Sequence, residues 1–334
     1  MIQTDKTVCR KAAIEAVKWI IRQQAPDGSM QPVGEGMAGF HKVPYALAIS
    51  GQSVRATRLC TWIAANSLND EGDLGAAFGR QGPLTHYYHY ANSWVVAGAQ
   101  RLGQFGLSIP AWGFLSSLQH PQTGGFLTAG PEASLVDEQD MLSTAAAGMA
   151  ALYMGQEDVA TAAGRFLVRL WDTQPASGAR LYMAVRRGME HVRVYEGTDE
   201  QYVLALGQPG QRYFVPGLAA GFLLRLWEVT GDDDFMRSSQ ELLGLCETGA
   251  ADRYTSPQSG FFGWAASMLY AATGNVNYER IATLVLTDLI KRQRPDGSWL
   301  DPSLPSDLPS ARLDATAEGL LLTLEILDHL EAAE

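Results

Sequence analysis

Apolar residues recur along most of the 334-residue chain at the three- and four-residue spacing of amphipathic helices, interrupted by Gly, Pro and Asp at two kinds of break. Short breaks fall at Ser50-Gly51-Gln52, Gly103 to Gly106, Met154-Gly155-Gln156, Thr230-Gly231-Asp232 and Thr273-Gly274-Asn275. Each places a helix-stopping Gly just ahead of a fresh helical pattern, as a tight helix-to-helix turn does. Long breaks surround Pro26 to Ser29, Glu71 to Asp73, Pro121 to Gly130, Pro175 to Gly210, Ala250 to Pro257 and Pro295 to Ser310. Between the breaks the periodicity predicts twelve helices, over about 6–24, 41–50, 53–68, 85–102, 107–119, 140–154, 157–173, 211–229, 233–247, 258–272, 276–293 and 312–331.

Short and long connections alternate strictly. Hairpins joined in that way can curl into a ring, one helix of each pair facing the axis and its partner facing water. The first helix pairs with the last, and six hairpins close. The expected fold is therefore all-α, an (α/α)6 toroid in one domain over 1–334. Charge patterning agrees, because 157–173, 233–247 and 276–293 carry Arg and Glu on one face. Residues 141–154, 213–222 and 258–272 have no charge at all, as helices buried on most sides must. Inside the longest break, Arg180 to Arg186 and His191 to Glu196 flank Arg187-Gly188-Met189-Glu190, which predicts a two-stranded hairpin insertion near 180–196.

Charge narrows the partners. With 25 Lys+Arg against 36 Asp+Glu the net charge is −11, and the basic residues are scattered, which argues against nucleic acid. No stretch reaches the roughly 18 apolar residues of a membrane span. The N-terminus, with Asp5, Lys6 and Arg10, lacks the apolar core of a secretion signal, so the chain is expected in the cytoplasm. Cys9, Cys60 and Cys246 are odd in number and widely spaced, the pattern of buried free thiols and not of a disulfide frame or zinc knuckle. No Walker loop, dinucleotide fingerprint, G-x-S-x-G elbow or H-E-x-x-H occurs, so neither cofactor nor metal is expected. The partner expected is a small-molecule substrate.

Three helix ends carry a shared motif: Gln24-Ala-Pro26-Asp27-Gly28-Ser29-Met30, Gln119-His-Pro121-Gln-Thr-Gly124-Gly125-Phe126 and Gln293-Arg-Pro295-Asp296-Gly297-Ser298-Trp299. These resemble the Q-x-x-D-G-x-W repeats of the terpenoid cyclase and protein prenyltransferase toroids, and are similar to the Q-x-P-D-G-S-W turns of carbohydrate-active α/α toroids. The resemblance covers the whole chain as architecture and implies that the Gln and terminal aromatic tie helix ends together. Val136-Asp137-Glu138-Gln139-Asp140 to Thr144-Ala145 resembles the acidic D-x-D-D-T-A segment with which class II terpene cyclases protonate an alkene. Aligned on Asp137 and Asp140, the family's central Asp falls on Gln139.

In a toroid the long loops emerge at one end, above the N-termini of the inner helices, so residues there ring a funnel. Asp137 and Asp140 are candidate acids, since crowded carboxylates in a partly dry funnel raise one another's proton affinity. The bland alternative is that one of them caps helix 140–154. His86, His89 and Tyr90 share one face of a continuous helix and form a candidate acid/base group. Tyr45, Tyr87, Tyr213, Phe214, Phe261, Phe262 and Trp264 are candidate lining residues. Arg212, with Lys42 and Arg312, is a candidate anion holder. Asp314 opens the last inner helix in a pattern close to a cap.

Two chemistries follow. The first is cyclisation or isomerisation of an apolar isoprenoid or polyene, started by a carboxylic acid and steadied by aromatic faces. The second is a carbohydrate-active lyase, hydrolase or epimerase in which His86, His89 and Tyr90 move protons, Trp264 stacks a sugar, and Asp137 or Asp140 acts as acid. A non-catalytic toroid that binds a peptide or lipid is a third possibility.

Overall fold

The computed structural model describes residues 5–31, 36–74, 80, 83–130, 137–175, 179–186, 189–192, 201–300 and 308–333. Thirteen α-helices run through the described residues, in order: α1 (Lys6–Arg22), α2 (Val43–Ile49), α3 (Ser53–Asn66), α4 (Pro83–His86), α5 (Tyr90–Arg101), α6 (Phe105–Ser117), α7 (Met141–Tyr153), α8 (Glu157–Asp172), α9 (Phe214–Thr230), α10 (Asp233–Glu247), α11 (Gly260–Thr273), α12 (Val276–Lys291) and α13 (Pro309–Ala332). The inner ring is α2, α5, α7, α9, α11 and α13, each packed on the next, and α13 closes on α2. Every inner helix also packs on an outer partner, α13 on α1. The all-α toroid expected from the alternating breaks is the fold observed. No described helix is long and apolar enough to cross a membrane.

The motif glycines make the ring tight. Gly28, Gly124 and Gly297 sit at φ of 97°, 79° and 93°, a region that favours Gly. Each lies on the backbone of the neighbouring outer helix, at Arg58, Ala162 and Glu15, where a Cβ would collide with a carbonyl. The motif glutamines reach the same helices. Gln24 Nε2 donates to the Arg55 carbonyl at 3.0 Å, Gln119 Nε2 to Val159 at 3.0 Å and Gln293 Nε2 to Ala12 at 2.8 Å. The last bond joins the end of α12 to α1, so one motif seals the ring. A fourth copy, without the Gln, stands at Gly72 (φ 89°), packed on the Pro110 carbonyl of α6.

Two expectations are corrected. The helix predicted over 85–102 is two elements, α4 and α5, with a turn through Tyr87-Tyr88-His89. Tyr88 is held out of the helix because its amide binds the Thr128 carbonyl at 3.0 Å and its carbonyl accepts Arg80 Nε at 2.6 Å. The hairpin is also more divided than expected. β1 (Gln139–Asp140) and β4 (Glu190–His191) pair on either side of β3 (Ala184–Arg186), while β2 (Arg180–Tyr182) pairs with β5 (Val203–Ala205). Residues 193–196 of the predicted second strand lie outside the described residues. The β1–β3 pairing sets Asp140 opposite Ala184 and fixes the chain entering α7.

Cys9, Cys60 and Cys246 are free and buried, and burial pushes the Cys9 and Cys60 thiols up to about 11 and about 12.

Candidate active site

The long connections enter the inner helices at one end of the ring, and two charged clusters form there. The first stands at the start of α7. Asp140 has extended backbone (φ −131°, ψ 163°), and its Oδ1 accepts the Ser143 amide at 2.8 Å, so it is the N-cap. Asp140 is 1% exposed, and its Oδ2 has no hydrogen-bond partner among the described residues. Burial raises its pKa above the usual carboxylate range; Ser143, Thr128 and the His86 charge pull the other way without cancelling the rise. A carboxyl whose burial favours the protonated form, with the Thr128 and Ser143 hydroxyls beside it, is a candidate general acid.

His86, at the end of α4, is close enough to act electrostatically on this carboxyl. Its Nε2 also lacks a hydrogen bond and lies 3.9 Å from Glu138 Oε1. Tyr202 packs edge-on against the imidazole, with centroids 5.3 Å apart. Glu138 is buried and held by Arg186, whose Nε and Nη2 reach Glu138 Oε2 at 2.9 and 2.6 Å. Its other oxygen is left facing His86. Tyr87 donates to the Gln201 carbonyl at 3.0 Å. Burial and Asp140 raise the Tyr87 phenol, and Arg212 acts against them, which places Tyr87 between an acid and a cation.

The second cluster joins α2, α5 and α13. Lys42 is buried, with Nζ 3.1 Å from Asp314 Oδ1 and 2.5 Å from Glu318 Oε2. Burial favours the neutral amine, but the two carboxylates outweigh it and hold the Lys42 pKa well above its usual value. Asp314 Oδ1 is also 3.4 Å from His41 Nε2. The Lys42 ammonium stands 5.6 Å over the Tyr90 ring, and burial pushes the Tyr90 phenol up to about 12. Asp314 and Glu318 keep about a fifth to a quarter of their side chains exposed. Asp314 is not a cap, because α13 starts earlier than expected, at Pro309, and carries Asp314 on its second turn.

The turn before α5 separates residues expected on one face. His89 is fully buried, with Nε2 2.6 Å from the Leu127 carbonyl, and burial lowers its pKa to about 4. It pins a loop and does not join His86. Asp137 lies half exposed on the loop, 3.4 Å from His120 Nε2. Tyr213 is fully buried at the start of α9 and accepts the Ala250 amide at 3.2 Å, while Phe262 stacks on Tyr254. Phe214 opens α9, half buried against the core. Residues that the expected site lacked are Arg186 and Tyr202, which arrive from the strand insertion, and Glu325 on the axis.

Below the mouth the axis is nearly filled. Trp94, Phe261 and Trp264 stand around a cavity of about 30 Å³, room for one or two waters. Its floor is polar: Tyr45 Oη donates to Glu325 Oε1 at 2.5 Å and Trp264 Nε1 to Glu325 Oε2 at 2.6 Å. Tyr45 thus belongs to the floor and not to the mouth. No group of three or more His, Cys, Asp or Glu with the arrangement of a metal site occurs among the described residues.

No family model matches the chain, and no curated protein does. Solved structures do match. A D-mannose isomerase superimposes with a TM-score of 0.72 at 12% identity, over 98% of this chain and 99% of that one. A GH76 alpha-mannanase of Bacteroides thetaiotaomicron gives 0.66 at 13%, over 97% and 95%. A type II terpene cyclase from Scytonema gives 0.61 at 13%, over 97% and 99%. At such identities the likeness is one of fold, and that fold, the α/α toroid, is common to carbohydrate-active enzymes, terpene cyclases and this chain.

Proposed function

We propose that the chain is an enzyme that moves protons on a polyhydroxylated, sugar-like substrate at the long-loop mouth, as an isomerase or epimerase. One observation carries this reading. Asp140 Oδ2 and His86 Nε2 are both buried without hydrogen-bond partners, and each lies within electrostatic reach of the other. Uncommitted polar atoms of this kind are costly unless a ligand satisfies them. His86 would take the proton from the carbon next to an open-chain sugar's carbonyl, while Asp140 gives its proton to the carbonyl oxygen. An enediol results; a proton returned to the former carbonyl carbon, with the neighbouring hydroxyl proton lost, gives the isomer, and one returned to the original carbon from its other face gives the epimer. The charged groups Glu138, Arg186, Lys42, Asp314 and Glu318 suit hydroxyls, and the isomerase and mannanase toroids are described as acting on mannose-containing compounds.

The cyclase reading has one observation in its favour, the shaft of Trp94, Phe261 and Trp264 beneath an acid whose proton affinity burial raises. A polyene would have to displace those rings, because the shaft has about 30 Å³ free. The test is incubation with aldoses and ketoses in D2O. Deuterium entering at the carbon beside the carbonyl, lost in Asp140→Asn and His86→Asn, supports the proposal. Exchange with no sugar, together with cyclised product from a polyene, overturns it.

A further inference from the structure

The barrel has a second opening at the end opposite the mouth. Its polar floor, Glu325 with Tyr45 and Tyr153, also forms the inner wall of an open vestibule of about 450 Å³ among the C-terminal ends of α2, α5, α7, α9 and α13. From Asp314 to Asp328 is 14 residues of α13, about 21 Å at 1.5 Å per residue, so this vestibule is remote from the mouth. Its volume is that of small-molecule sites.

Most of its charges are spoken for. Arg225 Nη1 binds Glu228 at 3.0 Å and its Nη2 binds His329 Nε2 at 3.0 Å. His329 in turn holds the Ser267 hydroxyl at 3.0 Å through Nδ1. The Glu325 oxygens accept from Tyr45 and Trp264. Two charges are left over. Arg101, in the last turn of α5, makes no ion pair among the described residues and rests 5.7 Å over the Tyr45 ring. Asp328, one turn beyond Glu325, likewise makes none. Arg101 and Arg225 line the vestibule together with Tyr153. Ile49, Met149, Leu152 and Val229 supply apolar wall between the charges.

We propose that this vestibule is a binding site for a free α-amino acid with an apolar side chain, its carboxylate on Arg101 and its ammonium on Asp328. A purely anionic ligand would meet Glu228, Glu325 and Asp328, and a purely cationic one would meet two guanidiniums. A zwitterion meets neither conflict. The volume has room for an amino acid with one hydrogen bond of about 2.9 Å at each charged end, a span of about 8–9 Å. This site does not depend on the sugar chemistry at the mouth.

The test is calorimetric titration of the full chain with L-leucine, with 3-methylbutanoate, which has only the carboxylate, and with 3-methylbutylamine, which has only the ammonium. The proposal expects saturable L-leucine binding, weakened about tenfold or more by removing either ligand charge and by Arg101→Gln or Asp328→Asn. Both side chains are exposed, so both variants are expected to keep the wild-type thermal midpoint. His86→Asn is expected to bind L-leucine as the wild type does. No saturable L-leucine binding, equal binding by Arg101→Gln and Asp328→Asn, or binding lost in His86→Asn would overturn the proposal.

Discussion

His89 makes the fold sensitive to acid, by an amount that the structure sets. Its imidazole is fully buried against the Leu127 carbonyl, and its pKa is about 4 against an ordinary value of 6.5. The folded state therefore keeps His89 neutral while the unfolded chain takes up a proton below about pH 6.5. The sign follows: stability is complete above the unfolded pKa and is lost as pH falls toward the folded one. A shift of about 2.5 units corresponds to about 3 kcal/mol in full, of which about 2 kcal/mol is lost by about pH 5. That is a substantial part of the roughly 5–15 kcal/mol by which a domain is stable. Buried carboxylates titrate in the same range, so the informative variant is His89→Gln, which retains an N–H for Leu127 and does not titrate. Urea unfolding of both proteins near pH 8 and near pH 5 should show the variant's disadvantage shrinking by about 2 kcal/mol at the lower pH. A gap between the two that is the same at both pH values would refute the burial argument.

Gln293→Ala removes two hydrogen bonds, to Ala12 and to Gly297, and should cost about 1–3 kcal/mol in chemical unfolding, with faster amide exchange in α1, whose tie to α12 it breaks. Gly221→Ala would push a methyl into the Trp264 ring; a loss of about 1–3 kcal/mol in thermal unfolding is expected, and an unchanged midpoint would show that α9 and α11 are looser than described. Asp140→Asn should keep the thermal midpoint, because Asn caps a helix as well as Asp does, whereas Asp140→Ala should cost about 1 kcal/mol.

The architecture was legible because it rests on local signals. Turn glycines and motif glutamines announce helix ends, and their alternation orders the ring. The split at Tyr87 to His89 was not legible, since the Arg80 and Thr128 contacts that hold Tyr88 come from distant segments. The same break undid the expected His86, His89 and Tyr90 face. Asp140 was visible as both acid and cap, and it is a cap whose second oxygen is left without a partner. Arg186 and Tyr202 had no signal, because the β1–β3 pairing carries Arg186 to Glu138, and the β2–β5 pairing beside Tyr202 carries it to His86. Asp314, Glu318, Leu321, Glu325 and Asp328 do carry one: their spacing of four, three, four and three lays a single stripe down α13 from mouth to vestibule.

The central claim is that Asp140 and His86 form an acid/base pair for a sugar-like substrate. It is tested most directly by proton NMR of aldoses and ketoses incubated in D2O with the wild type and with Asp140→Asn, at matched fold stability. The account predicts deuterium beside the carbonyl with the wild type and a loss of about 10²-fold or more in the variant. Equal exchange by both proteins would contradict it.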